Sequence, residues 1–202
     1  QEASQRALKN KVNLKRVFNM VKKLRHKTEI PIAFMTYYNP VLQYGLQRFV
    51  KGCKESGVDG VIVPDLPDEE SKDLVAFAKR VKVATIFLAA PTSTRERIRN
   101  IVKNSTGFIY YVSLTGVTGA RKKLPAEVIS KVRLIKFMTK KPICVGFGIS
   151  GPEQAKEIAK VADGVIVGSA IIKVIARNLK DKNLIGKVSR FTKALAGAIH
   201  NV

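Results

Sequence analysis

Three short segments rich in glycine, serine and threonine each follow an apolar run and precede a helical pattern. They read SLTGVTGARKK (113–123), GFGIS (146–150) and GSAIIK (168–173). Small residues let backbone N–H groups approach an anion, and the start of the following helix adds a partial positive charge. A single segment of this kind is also typical of a structural turn, whereas three in succession indicate a phosphate site. The candidate phosphate contacts are Gly119, Gly146, Phe147, Gly148, Gly168 and Ser169.

Side chains that could move a proton are fewer. Asp65 follows the apolar run 60–63 and is either a structural carboxylate or an acid in a pocket. Tyr37 and Tyr110 lie near the ends of apolar runs, where each either lines a pocket with its hydroxyl or belongs to the core. The acidic run 68–70 comes at a predicted helix start, where carboxylates complement the helix dipole. The sequence therefore offers Asp65 and two tyrosines as candidates and no complete catalytic set.

Apolar runs alternate with amphipathic stretches from residue 29 onward, and this alternation must position the candidate residues. Runs that are apolar throughout are typical of parallel strands covered on both faces. The stretches between them repeat apolar residues at helical spacing, and Asn13 is a predicted helix N-cap. The pattern predicts one α/β domain over residues 1–202, with its site at the carboxyl ends of the strands. The predicted strands are 31–37, 60–63, 84–88, 108–112, 142–145 and 164–167.

Composition and charge argue against a nucleic-acid-binding, a membrane-spanning and a metal-binding protein. The chain has 202 residues, with 37 Lys and Arg against 15 Asp and Glu, a formal net charge of +22. The basic residues are spread along amphipathic helices without interleaved aromatic residues, so we expect a basic, anion-attracting surface and no nucleic-acid partner. No stretch approaches the roughly 18 apolar residues of a membrane span, so we expect no membrane partner. Cys53 and Cys144 lie far apart in apolar segments, which predicts reduced thiols in a cytoplasmic protein without a metal site.

Taken together, the motifs resemble the alpha subunit of tryptophan synthase. The resemblance rests on MTYYNP, GVDGVIVPDLPDEES, TIFLAAPTS, GFIYYVSLTGVTGAR, VGFGIS and ADGVIVGSAIIK, in family order and spacing. It implies a TIM (β/α) barrel that cleaves indole-3-glycerol phosphate to indole and glyceraldehyde 3-phosphate without a cofactor or metal. It also implies a beta subunit as partner, in a heterotetramer of tryptophan biosynthesis.

The resemblance also assigns roles to residues of this chain. It implies that Tyr110 lines the site near the reacting part of the substrate. The segment SLTGVTGARKK, with Thr118 and Arg121, would be a lid that closes over the ligand. The same comparison places the phosphate on Gly119, Gly148, Gly168 and Ser169, with Gly146 and Phe147 beside them. The beta subunit would meet Asn39, Pro40 and the PDLP segment with Pro67.

The resemblance implies one departure from the family. The catalytic Glu and Asp of the family fall before the point that matches Gln1, together with the first two strands. We therefore expect six of the barrel's strands here, beginning at the helix after family strand two, and a chain that is inactive alone. Three alternatives remain: an incomplete sequence of a normal enzyme, a fragment that needs a complementing piece, or a non-catalytic barrel fragment that binds phosphate or a partner.

Overall fold

A computed structural model describes residues 2–113, 125–146 and 148–200. The chain divides into two compact units, Gln1–Phe87 with Lys103–Gly107 and Leu88–Val102 with Phe108–Val202. The prediction of one domain over residues 1–202 stays a prediction. Each helix within the described residues is too short or too polar to span a bilayer.

The first unit is a parallel three-stranded sheet, in the order β1-β2-β3, with helices between its strands. Phe18 lies at the centre of its core, where its ring centroid is 5.6 Å from that of Phe34 and 6.0 Å from that of Phe49. The elements are α1 (Glu2–Lys9), α2 (Leu14–Arg25), β1 (Ala33–Met35), α3 (Tyr38–Tyr44), α4 (Leu46–Ser56), β2 (Gly60–Ile62), a 3-10 turn (Asp68–Glu70), α5 (Lys72–Val81) and β3 (Ala84–Ile86).

The second unit is a parallel four-stranded sheet in the order β4-β5-β6-β7. Because successive neighbours are parallel, the turns that leave β5, β6 and β7 emerge at the same edge of this sheet. The elements are β4 (Leu88–Ala89), α6 (Arg95–Asn104), whose last two residues belong to the first unit, β5 (Ile109–Val112), α7 (Ala126–Met138), β6 (Ile143–Gly146), α8 (Pro152–Ala159), β7 (Gly164–Ile166), α9 (Ser169–Arg177) and α10 (Leu184–His200).

Most predicted elements are confirmed, including the N-cap Asn13, whose side chain accepts from the Arg16 N–H at 3.0 Å. Two predictions are wrong in detail. The helical stretch after the first strand is divided into α3 and α4 at Gly45, which has φ +89°. The run 84–88 forms two strands in different sheets, since the Phe87 N–H between them donates to the Ser105 hydroxyl at 3.3 Å.

The sequence Asp-Gly-Val-Ile-Val occurs twice, at 59–63 and 163–167, and builds the same arrangement in each unit. Asp163 donates its N–H to the Ile143 carbonyl (2.9 Å), and its carboxylate accepts from the Ile143 N–H (2.9 Å). Asp59 makes the same two bonds to Ile32, at 2.8 and 2.7 Å. We call each set an Asp-Gly clamp, because it fixes the start of one strand against the start of the next.

Each clamp also holds a cation from the helix that precedes the neighbouring strand. Lys136 of α7 lies 2.8 Å from the Asp163 carboxylate, and Arg25 of α2 forms an ion pair with Asp59. Burial raises the pKa of Asp163, but the hydrogen bonds from Lys136 and the Ile143 N–H outweigh it and hold the pKa below its usual 3.8. The charged Asp163 carboxylate therefore joins α7, β6 and β7.

We expect Asp163→Asn to destabilise the protein in a pH-dependent way. Because the pKa of Asp163 is lowered on folding, its contribution is fully present above the unfolded value of 3.8 and is lost as the pH falls through the folded value. The difference in Tm between wild type and variant should be constant near neutral pH and shrink below pH 3.8. Thermal unfolding from pH 7 to pH 2 measures it, and a difference that grows on acidification would contradict the clamp.

Lys82 is a residue whose backbone conformation disfavours its side chain. It follows the last residue of α5 and has left-handed backbone, with φ 59° and ψ 40°. The equivalent position after α4 is occupied by a glycine, Gly57, which adopts left-handed backbone more readily. Because left-handed backbone costs a non-glycine residue roughly 1–2 kcal/mol, Lys82→Gly should raise the free energy of unfolding by about 1 kcal/mol. Lys79→Gly, on the exposed last turn of the same helix, should lower it by a similar amount. Urea unfolding of both variants checks the opposite signs.

Candidate functional site

The predicted phosphate and substrate residues that the structure describes all belong to the second unit. They lie on β5, β6 and β7 or in the turns that leave these strands, with Val112 opposite Gly146 and Gly146 opposite Ile166. The Ser113 N–H extends this pairing, since it donates to the Gly146 carbonyl at 3.1 Å. Thr118, Gly119, Arg121 and Phe147 lie outside the described residues.

Tyr110 and Gly146 are in direct contact. A Cβ atom at position 146 would lie 2.8 Å from the Tyr110 hydroxyl oxygen, 2.8 Å from its Cε2 and 2.9 Å from the Cβ of Ile166. The Tyr110 side chain therefore crosses to the neighbouring strand and occupies the space that any other residue at 146 would fill. Glycine is required here for close packing, at the carboxyl end of β6.

The buried hydroxyl of Tyr110 is a neutral hydrogen-bonding group. The residue is only 7% exposed, and burial raises the pKa of its hydroxyl above the usual 10.0. The hydroxyl therefore stays protonated at neutral pH. It can donate a hydrogen bond to an oxygen atom or accept one from an N–H or O–H group. Its burial among the core residues and its contact with Gly146 agree with both interpretations of Tyr110, as a core residue and as a residue that lines a pocket.

Gly148 begins the turn after β6 with φ +75°, a left-handed conformation that favours glycine. The turn is closed by Gln154 of α8, whose Oε1 accepts from the Ser150 N–H at 2.7 Å and from its hydroxyl at 2.9 Å. These bonds direct the turn into the first residues of α8.

Gly168 and Ser169 form the exposed start of α9. The Gly168 carbonyl accepts from the N–H groups of Ile171 and Ile172 at 3.0 and 3.2 Å, which begins the helix. Among the residues that the structure describes, none has an atom within 4 Å of a Cβ built at Gly168, so none of them fills the space beside this residue. An N-cap glycine offers no side-chain acceptor, and the positive end of the helix dipole faces this space. The start of α9 can therefore receive an anion.

The predicted partner residues lie in the first unit. Asn39 and Pro40 are exposed on the first turn of α3, and Pro67 is half-buried in the turn after β2. The carboxylate of Asp65 joins these two segments, because its two oxygens lie 2.9 and 3.1 Å from the Tyr38 nitrogen and accept its N–H. The sequence leaves Asp65 as either a structural carboxylate or an acid in a pocket, and these bonds support the structural carboxylate.

The structure also shows the surroundings of Tyr37, of the acidic run 68–70 and of the two cysteines. Tyr37 is 69% exposed, so it is not a core residue. The acidic run 68–70 forms a 3-10 turn, and α5 begins only at Lys72. Burial raises the pKa of Cys53 to about 12, and burial with the nearby Asp163 charge raises that of Cys144 to about 11. Both thiols therefore stay protonated and unreactive at neutral pH.

We expect Gly146→Ala to disturb the site and to lower stability. The added methyl would displace the Tyr110 hydroxyl and Ile166, and overpacking of this kind typically costs about 1–3 kcal/mol. Gly151→Ala is the matched control, since position 151 has φ −166° and no atom of a described residue lies within 4 Å of its Cβ. Urea unfolding should separate the two variants, and equal stabilities would show that Tyr110 does not occupy this space.

A family model described as tryptophan synthase alpha chain matches residues 1–199. The alpha chain of Geotalea daltonii is 47% identical over 199 residues, which cover 98% of this chain and 75% of that relative. That of Caldanaerobacter subterraneus subsp. tengcongensis is 42% identical over 195 residues, which cover 96% of this chain and 74% of the relative. The chain therefore spans about three quarters of these relatives.

Solved structures agree with the sequence comparison. Tryptophan synthase subunit alpha from Legionella pneumophila superposes with a TM-score of 0.91 at 34% identity, covering 100% of this chain and 75% of that one. A chain of the tryptophan synthase α2β2 complex of Pyrococcus furiosus superposes with a TM-score of 0.89 at 38% identity, covering 98% of this chain and 79% of that one. The predicted α/β fold of the TIM-barrel type is thereby confirmed. The chain belongs to the tryptophan synthase alpha chain family, whose role lies in tryptophan biosynthesis.

Proposed function

We propose that this chain binds indole-3-glycerol phosphate and contributes to its retro-aldol cleavage. In that reaction the bond between indole C3 and the side chain breaks, C3 gains a proton, and the adjacent hydroxyl loses its proton to become the aldehyde. The products are indole and glyceraldehyde 3-phosphate. The observation that carries the proposal is the contact of Tyr110 with Gly146 at the carboxyl end of β6, in a member of this family whose neighbouring strand β7 leads into the exposed start of α9.

We propose that the turns after β6 and β7 hold the phosphate. Gly148 has left-handed backbone, and no atom of the described residues lies within 4 Å of a Cβ built at Gly168, at the start of α9. A dianionic ester is stabilised there by the helix dipole and by N–H groups of the first turn, including that of Ser169. Gly119 and Phe147 would complete this site, and Thr118 and Arg121 the lid.

Tyr110 serves the reacting part of the substrate in this proposal. Its hydroxyl is protonated and lies over Gly146, so it can hydrogen-bond a hydroxyl or the indole ring edge without carrying charge. The resemblance implies a reaction without a metal or an organic cofactor, in which positioned side chains transfer the protons.

We propose that these 202 residues, assayed alone, bind the substrate without cleaving it. The resemblance assigns proton transfer to a Glu and an Asp that precede the motifs matched here. Among the described residues, the turns after β4 to β7 contain no Asp or Glu. Loss of a positioned acid or base typically removes a factor of about 10²–10⁴ in rate. A non-catalytic phosphate- or partner-binding fragment is the alternative that this observation favours.

We further propose a cytoplasmic α2β2 heterotetramer with a tryptophan synthase beta subunit. The Pyrococcus furiosus relative is described as such a complex. Asn39, Pro40 and Pro67 would meet the beta subunit, to which the indole passes. The protonated thiols of Cys53 and Cys144 suit a reducing compartment.

Binding of glycerol 3-phosphate tests the phosphate site. Calorimetry should detect binding to the wild-type chain, and Ser169→Asp should weaken it at least tenfold, because the new carboxylate occupies the start of α9 and repels the ligand. Ser189→Asp adds the same charge on the exposed surface of α10 and should leave the affinity unchanged. Equal affinities of wild type and Ser169→Asp would place the phosphate elsewhere.

Indole release from indole-3-glycerol phosphate tests the rest of the proposal. We expect no turnover by the 202 residues alone, and turnover once the family's amino-terminal segment is supplied. Turnover by the 202 residues alone would show that their own side chains perform the proton transfers. Absence of turnover in the complemented protein would favour the binding-only alternative.

A further inference from the structure

Asp65 caps the start of α3, whose own N-cap residue makes no side-chain hydrogen bond. α3 begins at Tyr38, and the N-cap residue Tyr37 has extended backbone and makes no side-chain capping bond. The Tyr38 N–H, one of the first-turn groups without a partner inside the helix, instead donates to the carboxylate of Asp65, 27 residues later in the chain. This bond to a charged acceptor is of the stronger kind.

The bond joins two neighbouring strand ends. Tyr38 follows β1 and Asp65 follows β2, and the Thr36 N–H donates to the Ile62 carbonyl at 3.1 Å just before them. Asp65 thus continues the pairing of two parallel strands beyond the sheet through a side chain. Asn39 lies one residue after Tyr38, so its position depends on how the first turn of α3 is held.

The second copy of the Asp-Gly-Val-Ile-Val repeat shows what this position does without a carboxylate. Val63-Pro64-Asp65 in the first unit corresponds to Val167-Gly168-Ser169 in the second. In the second unit the glycine opens the turn before α9, whereas in the first unit the aspartate turns back to the helix of the preceding strand. In the first unit the residue at this position, Asp65, therefore bonds to the backbone of the same unit.

We propose that Asp65 is a positioning residue for the docking of the beta subunit. By holding the Tyr38 N–H it fixes the first turn of α3, with the exposed Asn39 and Pro40, against the turn that contains Pro67. Preorganised docking elements bind more tightly because less ordering is left to the binding step. This inference rests on the proposed interface, which it deepens by naming the side chain that orders it.

Two substitutions of Asp65 separate positioning from a direct charge contact with the partner. Asp65→Ala removes both acceptor oxygens, and we expect affinity for the beta subunit of the same source to fall about tenfold, or about 1.4 kcal/mol. Asp65→Asn keeps one acceptor oxygen and is a good cap, so its affinity should stay within about twofold of wild type. Asp73→Ala, an exposed aspartate on α5, is the control for charge and should change nothing.

Hydrogen exchange of the Tyr38 amide supplies the readout specific to the bond. Exchange should be faster in Asp65→Ala and close to wild type in Asp65→Asn, while glycerol 3-phosphate binding by the second unit stays unchanged in both. An Asp65→Asn variant as weak as Asp65→Ala would overturn positioning in favour of a charge contact. Unchanged affinity of Asp65→Ala, with faster Tyr38 exchange, would also overturn it.

A substitution at the interface itself distinguishes failure of this inference from failure of the proposed function. Asn39→Ala should weaken beta-subunit binding if the interface is placed correctly. If Asn39→Ala weakens binding and Asp65→Ala does not, the interface stands and the role of Asp65 is refuted. If both variants bind like wild type, the proposed interface itself is wrong, and the role of Asp65 falls with it.

Discussion

The Asp-Gly clamps are the constraint on which the site depends. Asp163 binds both the N–H and the carbonyl of Ile143, so the first residue of β6 is fixed against the start of β7. From that point the register follows residue by residue, and it brings Gly146 opposite Ile166. A slip of one residue would turn every side chain of β7 to the other face. The clamp at the amino ends of the strands thus determines which residues meet at their carboxyl ends.

Register in turn explains why a particular glycine matters. Tyr110 lies opposite Cys144, and its ring reaches diagonally to the next residue on that face, Gly146. The same face has Gly164, where a Cβ would lie 2.7 Å from the Cys144 sulfur. Glycines on β6 and β7 therefore alternate with the large side chains that cover them. A close-packed face of this kind holds the Tyr110 hydroxyl in one position.

The strands were predictable because their signal is local and strong: a buried parallel strand is a short apolar run bounded by small residues. The break between β3 and β4 at Phe87 was not predictable, since it depends on a hydrogen bond to Ser105, eighteen residues later. Gly45 divides α3 from α4 by its positive φ, although the apolar spacing continues across it. The contact of Tyr110 with Gly146 needs the register of two strands, and no spacing within either strand shows it.

The two copies of the repeat show how one scaffold can support two uses of the same turn. Both copies need Asp and Gly at the amino end, where the chemistry is structural and identical. At the carboxyl end nothing in the clamp constrains the residues, and there the copies differ, with Pro64 and Asp65 in one and Gly168 and Ser169 in the other. A carboxylate in the turn satisfies a helix start from within and repels an anion, whereas glycine and serine leave the helix start open to one. The difference in charge at this single turn therefore makes the start of α9 in the second unit, and not that of α3 in the first, suited to an anion.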